Sequence, residues 1–177
     1  MPFLSVFASR SDETAFAKLI SEHQGIILKV CRMYQEEPEA RKDLFQEIVL
    51  QLWRSYPAFR GQSKISTWMY RVALNTAISG FRRAKRRPAP ERLDERLLNL
   101  PELPEDEAYE EKRRMLYAAI EGLSDVEKAV VLLYLEEKSY DEIAEIAGIT
   151  RNYVGVLLNR VKSKLRSRLM AQASGNP

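Results

Sequence analysis

"SYDEIAEIAGIT", Ser139 to Thr150, is the stretch on which the fold turns. Ser139 followed by Glu142 is a capping box, the reciprocal pair that starts a helix. An apolar helix of about nine residues then ends at Gly148, which takes a left-handed C-terminal conformation without penalty. Thr150 caps the helix after it. Two helices joined by so short a glycine turn are the signature of a helix-turn-helix.

In the helix that follows, Val154, Leu158, Val161, Leu165 and Leu169 supply an inward stripe, and Arg151, Asn152, Gly155, Val156, Asn159 and Lys162 face out. The second helix of such a motif lies in the DNA major groove, and its N-terminal side chains reach base edges. Here those are Arg151, Asn152 and Tyr153. Arginine and asparagine suit bidentate contacts with guanine and adenine. Arg160, Lys162, Lys164, Arg166 and Arg168 follow with no acid after Glu145, a row suited to phosphates. The competing reading is a packing unit with a solvated basic face.

Upstream, Ser124 and Glu127 form a second capping box, preceded by Tyr109, Leu116, Ile120 and Leu123 at helical spacing. The first half of the chain is also helical. Phe16, Leu19, Ile20, Ile27, Val30 and Tyr34 predict a helix over 12–36. Leu44, Ile48, Leu52 and Tyr56 predict a second between Pro38 and Pro57. Tyr70, Leu74, Ile78 and Phe81 predict a third, from near Ser66 to the "RPAP" at 87–90. Nothing reads as a strand. The fold class is therefore all-α, with two small helical domains, 1–87 and 108–177, joined by an acidic, proline-rich linker over 88–107.

Charge follows the same division. The net charge of +3 splits into +7 over residues 1–87, −7 over 88–111 and +3 over 112–177. Two basic ends suggest a polyanion bound at two places, and the acidic middle would be repelled by it unless it lies elsewhere. Between residues 60 and 87 there are eight basic side chains and no acid, with Phe59, Trp68 and Tyr70 interleaved. Cations that follow a backbone, with aromatic faces for unstacked bases, suit single-stranded DNA; aromatics at helical spacing equally suit a core. In "DLFQEIVLQLW", Asp43, Gln46 and Glu47 share one helix face. That acidic and amide patch suits a basic protein partner, or is an ordinary exposed face.

Several classes are disfavoured. A lone cysteine, Cys31, allows no internal disulfide, and with His23 as the single histidine no Cys/His zinc cluster is expected. No glycine-rich phosphate loop, two-metal acid cluster or catalytic constellation occurs, so neither enzyme activity nor a cofactor is expected. The longest apolar run, Ala129 to Leu135, is far short of the roughly 20 residues a bilayer span needs. The N-terminus lacks a basic region ahead of its apolar residues. A cytoplasmic protein is expected.

Three stretches in series, "DLFQEIVLQLW", "FRGQSKISTWMYRVALNTAISGFRRAKRR" and "LSDVEKAVVLLYLEEKSYDEIAEIAGIT" followed by a basic helix, resemble the extracytoplasmic-function (ECF) sigma factors over about Phe16 to Leu169. The resemblance implies a dissociable subunit of bacterial RNA polymerase that directs promoter recognition and melting. It implies that Asp43, Leu44, Gln46 and Glu47 bind the clamp helices of the polymerase largest subunit, with the flap as a further contact. It implies a loop, Arg60, Gly61, Gln62, Ser63, Lys64 and Ile65, that captures a base flipped from the minus-ten element. Trp68, Arg71, Asn75, Arg82 and Arg83 would lie along the same melted non-template strand. The acidic linker would thread toward the active-site cleft and RNA exit path, or be a flexible spacer. Minus-thirty-five contacts fall to Arg151, Asn152, Tyr153, Arg160 and Lys162. An anti-sigma factor is the expected regulator. One departure stands out: where the family commonly carries a lysine and an arginine in the recognition helix, this chain has Gly155 and Leu157. The alternatives are a helix-turn-helix repressor or activator that binds duplex DNA alone, and an interaction protein that sequesters a partner through its N-terminal half.

Overall fold

The structure, a computed structural model, describes residues 10–79, 95–99 and 107–175. Among these there is no strand. The chain divides into two compact units, Met1–Leu100 and Pro101–Pro177. Of the expected linker, only residues 95–99 and Glu107 are described.

In the first unit, α1 (Arg10–Tyr34), α2 (Pro38–Ser55) and α3 (Ile65–Ser79) each pack on the other two. Helix α1 carries Asp12 and Glu13 in its first turn and Arg32 in its last, each sign set against the helix dipole. It begins and ends two residues before the 12–36 expected. The sharp entry to α2 comes from Pro38, whose fixed φ suits the first helical turn, after Glu37 in an extended conformation. Arg41 Nε donates to Gln35 O at 2.8 Å, so α2 satisfies a carbonyl just beyond the end of α1. Pro57 closes α2 into a 3₁₀ turn, Tyr56–Ala58. The core is Phe16, Ile27, Leu44, Phe45, Ile48, Leu52, Met69 and Tyr70, all at most 2% exposed. A second 3₁₀ turn, Glu95–Leu98, lies on α2.

The second unit comprises α4 (Glu107–Glu121), α5 (Asp125–Leu135), α6 (Tyr140–Ala147) and α7 (Arg151–Ser174). Helix α7 packs on the other three and α5 packs on α6. Both capping boxes form: Ser124 and Ser139 accept from the backbone N–H of Glu127 and Glu142, whose carboxylates accept in return. Gly148 sits at φ 68°, the left-handed conformation that stops α6.

The inward face of α7 differs from the expected stripe. Val154, Leu157, Leu158 and Val161 are buried, Leu165 is half-buried and Leu169 is 37% exposed. The cause is length: 24 residues of α-helix run about 36 Å, whereas α5 and α6 have 11 and 8 residues, so the end of α7 outruns those two partners. Leu116, one of the apolar residues at helical spacing in α4, is likewise 37% exposed.

Candidate nucleic-acid interface

The loop between the 3₁₀ turn and α3 is held from behind by rings. Phe16 meets Trp53 and Tyr56 edge-on, with centroids 4.9 and 5.4 Å apart. Tyr56 leans on Trp68 at 6.4 Å, and Phe59 stacks on Trp68 at 4.8 Å with 29° between planes. This ladder carries the core out to the first residue of the loop. Arg60, Gln62 and Lys64 are exposed and Ser63 is half-buried. Gly61, at φ 68°, provides the left-handed turn between them.

Trp68 is only 8% exposed and covered by Phe59, so no base stacks on it unless Phe59 moves. Its place is support for the loop, and the rings of this ladder that reach solvent are the half-buried Tyr56 and Phe59. Of the two rings beside Trp68, Phe59 is among the interleaved aromatics expected from the sequence, whereas Tyr56 is not. The available signal was the pair of aromatics three apart around Pro57, which a 3₁₀ turn brings to one side. Tyr70, at 2%, is core. On α3, Arg71 is half-buried and Asn75 exposed, seven and eleven residues after Lys64, and no acid occurs from Ile65 to Ser79. Arg82 and Arg83 lie outside the described residues.

On α2, Asp43 and Gln46 are exposed, but the other two patch residues are not open in the same way. Leu44 is 0% exposed and belongs to the core, because its position on the apolar stripe points it at α1 and α3 rather than outward. The Glu47 side chain is 12% exposed; Gln51 Nε2 donates to its Oε1 at 2.6 Å and Arg54 lies 3.9 Å away. The open patch is therefore Asp43 and Gln46.

In the second unit, Thr150 Oγ1 accepts from the backbone N–H of Tyr153 at 3.2 Å and so caps α7. Arg151, Asn152, Tyr153, Arg160 and Lys162 are all exposed. Several cations of this helix already have partners in the fold. Arg151 Nε lies 3.7 Å from Asp141, and Lys162 sits 4.8 Å above the Tyr134 ring. Lys164 donates to Glu127 Oε1 at 2.7 Å. Burial of Glu127 pushes its carboxyl up, but the hydrogen bonds from Lys164 and Ser124, with the lysine's charge, outweigh this and hold it below its ordinary 4.5. Arg168 donates to Ala119 O at 2.7 Å and Gly122 O at 3.2 Å, tying α7 to the end of α4. Lys164 and Arg168, expected among the phosphate contacts, thus serve the fold.

The two departures separate. Leu157 is 3% exposed, so this position faces the core and a cation here would be buried. Gly155 is half-buried on the outer side, and a Cβ there would meet only the Tyr140 ring at 3.7 Å, an ordinary contact.

Cys31 is buried, and burial pushes its thiol up to about 12 against a smaller downward pull from Arg41. No three of His, Cys, Asp or Glu gather as metal ligands among the described residues. None of the described helices is long and apolar enough to cross a membrane.

Residues 19–87 match the Sigma-70 region 2 family and residues 113–165 match Sigma-70, region 4. The chain is 30% identical over 171 residues to the ECF RNA polymerase sigma-E factor of Haemophilus influenzae, covering 90% of each. It is 32% identical over 152 residues to the ECF RNA polymerase sigma factor SigG of Mycobacterium tuberculosis; the match covers 71% of this chain and spans 41% of that longer relative. The fold is similar to that of the sigma factor RpoE, solved with the anti-sigma factor NepR from Bartonella quintana, at a TM-score of 0.59 and 14% identity over 92% of this chain and 98% of that one. Both sigma-70 regions occur here in order, and a relative of similar extent matches across nearly its whole length. The chain belongs to the ECF RNA polymerase sigma factors.

Proposed function

We propose that this chain binds core RNA polymerase and directs promoter recognition, DNA melting and transcription initiation, without catalysis or a cofactor of its own. The observation that carries this reading is the pairing, on one chain, of region 2 and region 4 with an exposed cationic loop on the first and an exposed recognition helix on the second. A protein that only bound duplex DNA would have no use for the first.

In this reading residues 1–87 act on polymerase and the minus-ten element, 88–107 link, and 108–177 bind the minus-thirty-five element. Asp43 and Gln46 meet the clamp helices of the largest subunit; Glu47, held by Gln51 and Arg54, shapes the patch from beneath. Arg60, Gln62, Ser63 and Lys64 take the flipped base. Arg71 and Asn75, with Arg82 and Arg83, follow the non-template strand, whose phosphates an acid on this surface would repel. Helix α7 enters the upstream major groove, and the flap receives the second unit. The protein acts in the cytoplasm under an anti-sigma factor; a relative of the same fold solved with one supports that partner class.

Co-elution with bacterial core RNA polymerase in gel filtration tests this. Wild type is expected in the polymerase peak and the exposed double variant Asp43→Lys, Gln46→Lys in the free fraction. Failure of wild type to bind core overturns the reading. Full binding by the double variant moves the contact elsewhere.

A further inference from the structure

Asn152, Val156, Asn159 and Ser163 lie at i, i+4, i+7 and i+11 on α7, a straight line on the face opposite buried Val154, Leu157, Leu158 and Val161. All four are exposed. The centre of the recognition helix is therefore uncharged, with its cations off the midline. Arg160 and Arg166 flank the line on opposite sides. Arg151 and Lys162 are drawn toward Asp141 and Tyr134.

Resting on the promoter-binding reading above, we propose that α7 reads A·T pairs in the upstream element. Asn152 and Asn159 bond adenine N6 and N7, and Val156 packs on a thymine methyl group. Amides suit adenine as arginine suits guanine, and an apolar group finds only the thymine methyl in the major groove. From Asn152 to Asn159 the helix rises about 10 Å, the length of about three base-pair steps. The flanking arginines then meet phosphates on either wall of the groove.

Gly155 supports this independently. Glycine weakens a helix interior relative to alanine, yet the only contact a Cβ would make within the unit is the permissible one with Tyr140. Nothing in the fold asks for glycine there. Beside Val156, its missing side chain lets the helix backbone approach the base edges.

The test uses the full chain with bacterial core polymerase on a promoter library randomised across the upstream element, with transcripts sequenced. Adenine and thymine are expected within about four adjacent central positions, each preference worth about 5- to 150-fold where an amide is bidentate. On the best promoter, replacing the contacted thymine by uracil, which removes only the methyl, should slow open-complex formation about three- to fourfold for wild type and have a clearly smaller effect on Val156→Ser. The uracil substitution needs no protein variant, so it cannot be confused with misfolding. Transcripts showing guanine or cytosine preference, or no effect of uracil in wild type, overturn the assignment while leaving the sigma reading intact. No transcript above core alone overturns both.

Discussion

The loop that leads into α3 and the helix α7 are both rich in cations, and the fold uses them differently. In the loop, Arg60 stands exposed on a ladder of rings rooted at Phe16. In α7, Lys164 and Arg168 turn back onto Glu127 and the end of α4, and Lys162 lies over Tyr134. A basic run is thus not a measure of an anion-binding surface. What counts is which cations remain after the fold has taken its share, and on α7 that leaves Arg160 and Arg166 as the plainly outward pair.

The largest effect should come from cutting the ladder at its root. Phe16 is 0% exposed between Trp53 and Tyr56, so Phe16→Ala should cost about 3–5 kcal/mol in denaturant unfolding. Phe59→Ala removes the outer rung instead, with the stacking and part of the ring's buried surface lost together, about 1–3 kcal/mol. It should also open Trp68 to acrylamide quenching. Unchanged quenching would mean that Phe59 does not cover the indole in solution, and Trp68 would return as a base platform.

The α7 side of the comparison rests on Glu127. Lys164→Met leaves a carboxylate that is 3% exposed with its capping bonds alone, and about 1–3 kcal/mol should be lost. Arg160→Gln should stay within about 0.5 kcal/mol of wild type in stability and instead weaken promoter binding across all sequences. Equal stability losses in the two variants would erase the distinction between structural and outward cations. Acid sharpens it further. Folding holds Glu127 below its ordinary 4.5, so the unfolded chain takes up the proton first. The stabilisation is complete above pH 4.5 and drains as pH falls through the folded value; Glu127→Gln should flatten that arm of a thermal-shift profile. Cys31 works at the other end. Its thiol is near 12 in the fold against 9.0 ordinarily, so its contribution is whole below pH 9.0 and is lost as pH rises toward 12. Cys31→Ala should flatten the alkaline arm, and alkylation of native protein at neutral pH should be far slower than of the unfolded chain.

Local rules made the second unit legible. Both capping boxes, Gly148 and the Thr150 cap are decided within a few residues, and all stand where the sequence put them. The helix period likewise gave most of the first core. What it missed depends on partners distant in the chain. Leu44 lies in the middle of a patch read by its charged neighbours, yet packing on α1 and α3 takes it inside. Lys164 and Glu127 are 37 residues apart and Arg168 and Ala119 are 49 apart, so no periodicity could pair them. Spacing alone leaves Trp68 between platform and core, because the rings that cover it, Phe59 and Tyr56, come from the preceding turn and not from its own helix.

The smallest prediction concerns the two helix ends of the second unit, which share a backbone conformation but not a residue type. Gly148 ends α6 at φ 68°, and Glu137 follows α5 at φ 57°. At the latter, Lys138 N–H reaches back to Leu133 O at 3.0 Å and Glu137 N–H to Tyr134 O at 3.0 Å, the bonds of a left-handed helix stop. A side chain with a Cβ is strained there by about 1–2 kcal/mol, while glycine recovers that strain and gives part of it back as unfolded-chain entropy. Glu137→Gly should therefore gain about 0.5–1 kcal/mol, and Gly148→Ala should lose at least as much. The signs must be opposite if conformation is the cause. A loss in Glu137→Gly would mean that the carboxylate makes a contact worth more than the strain, and the two helix ends would then be alike in shape only.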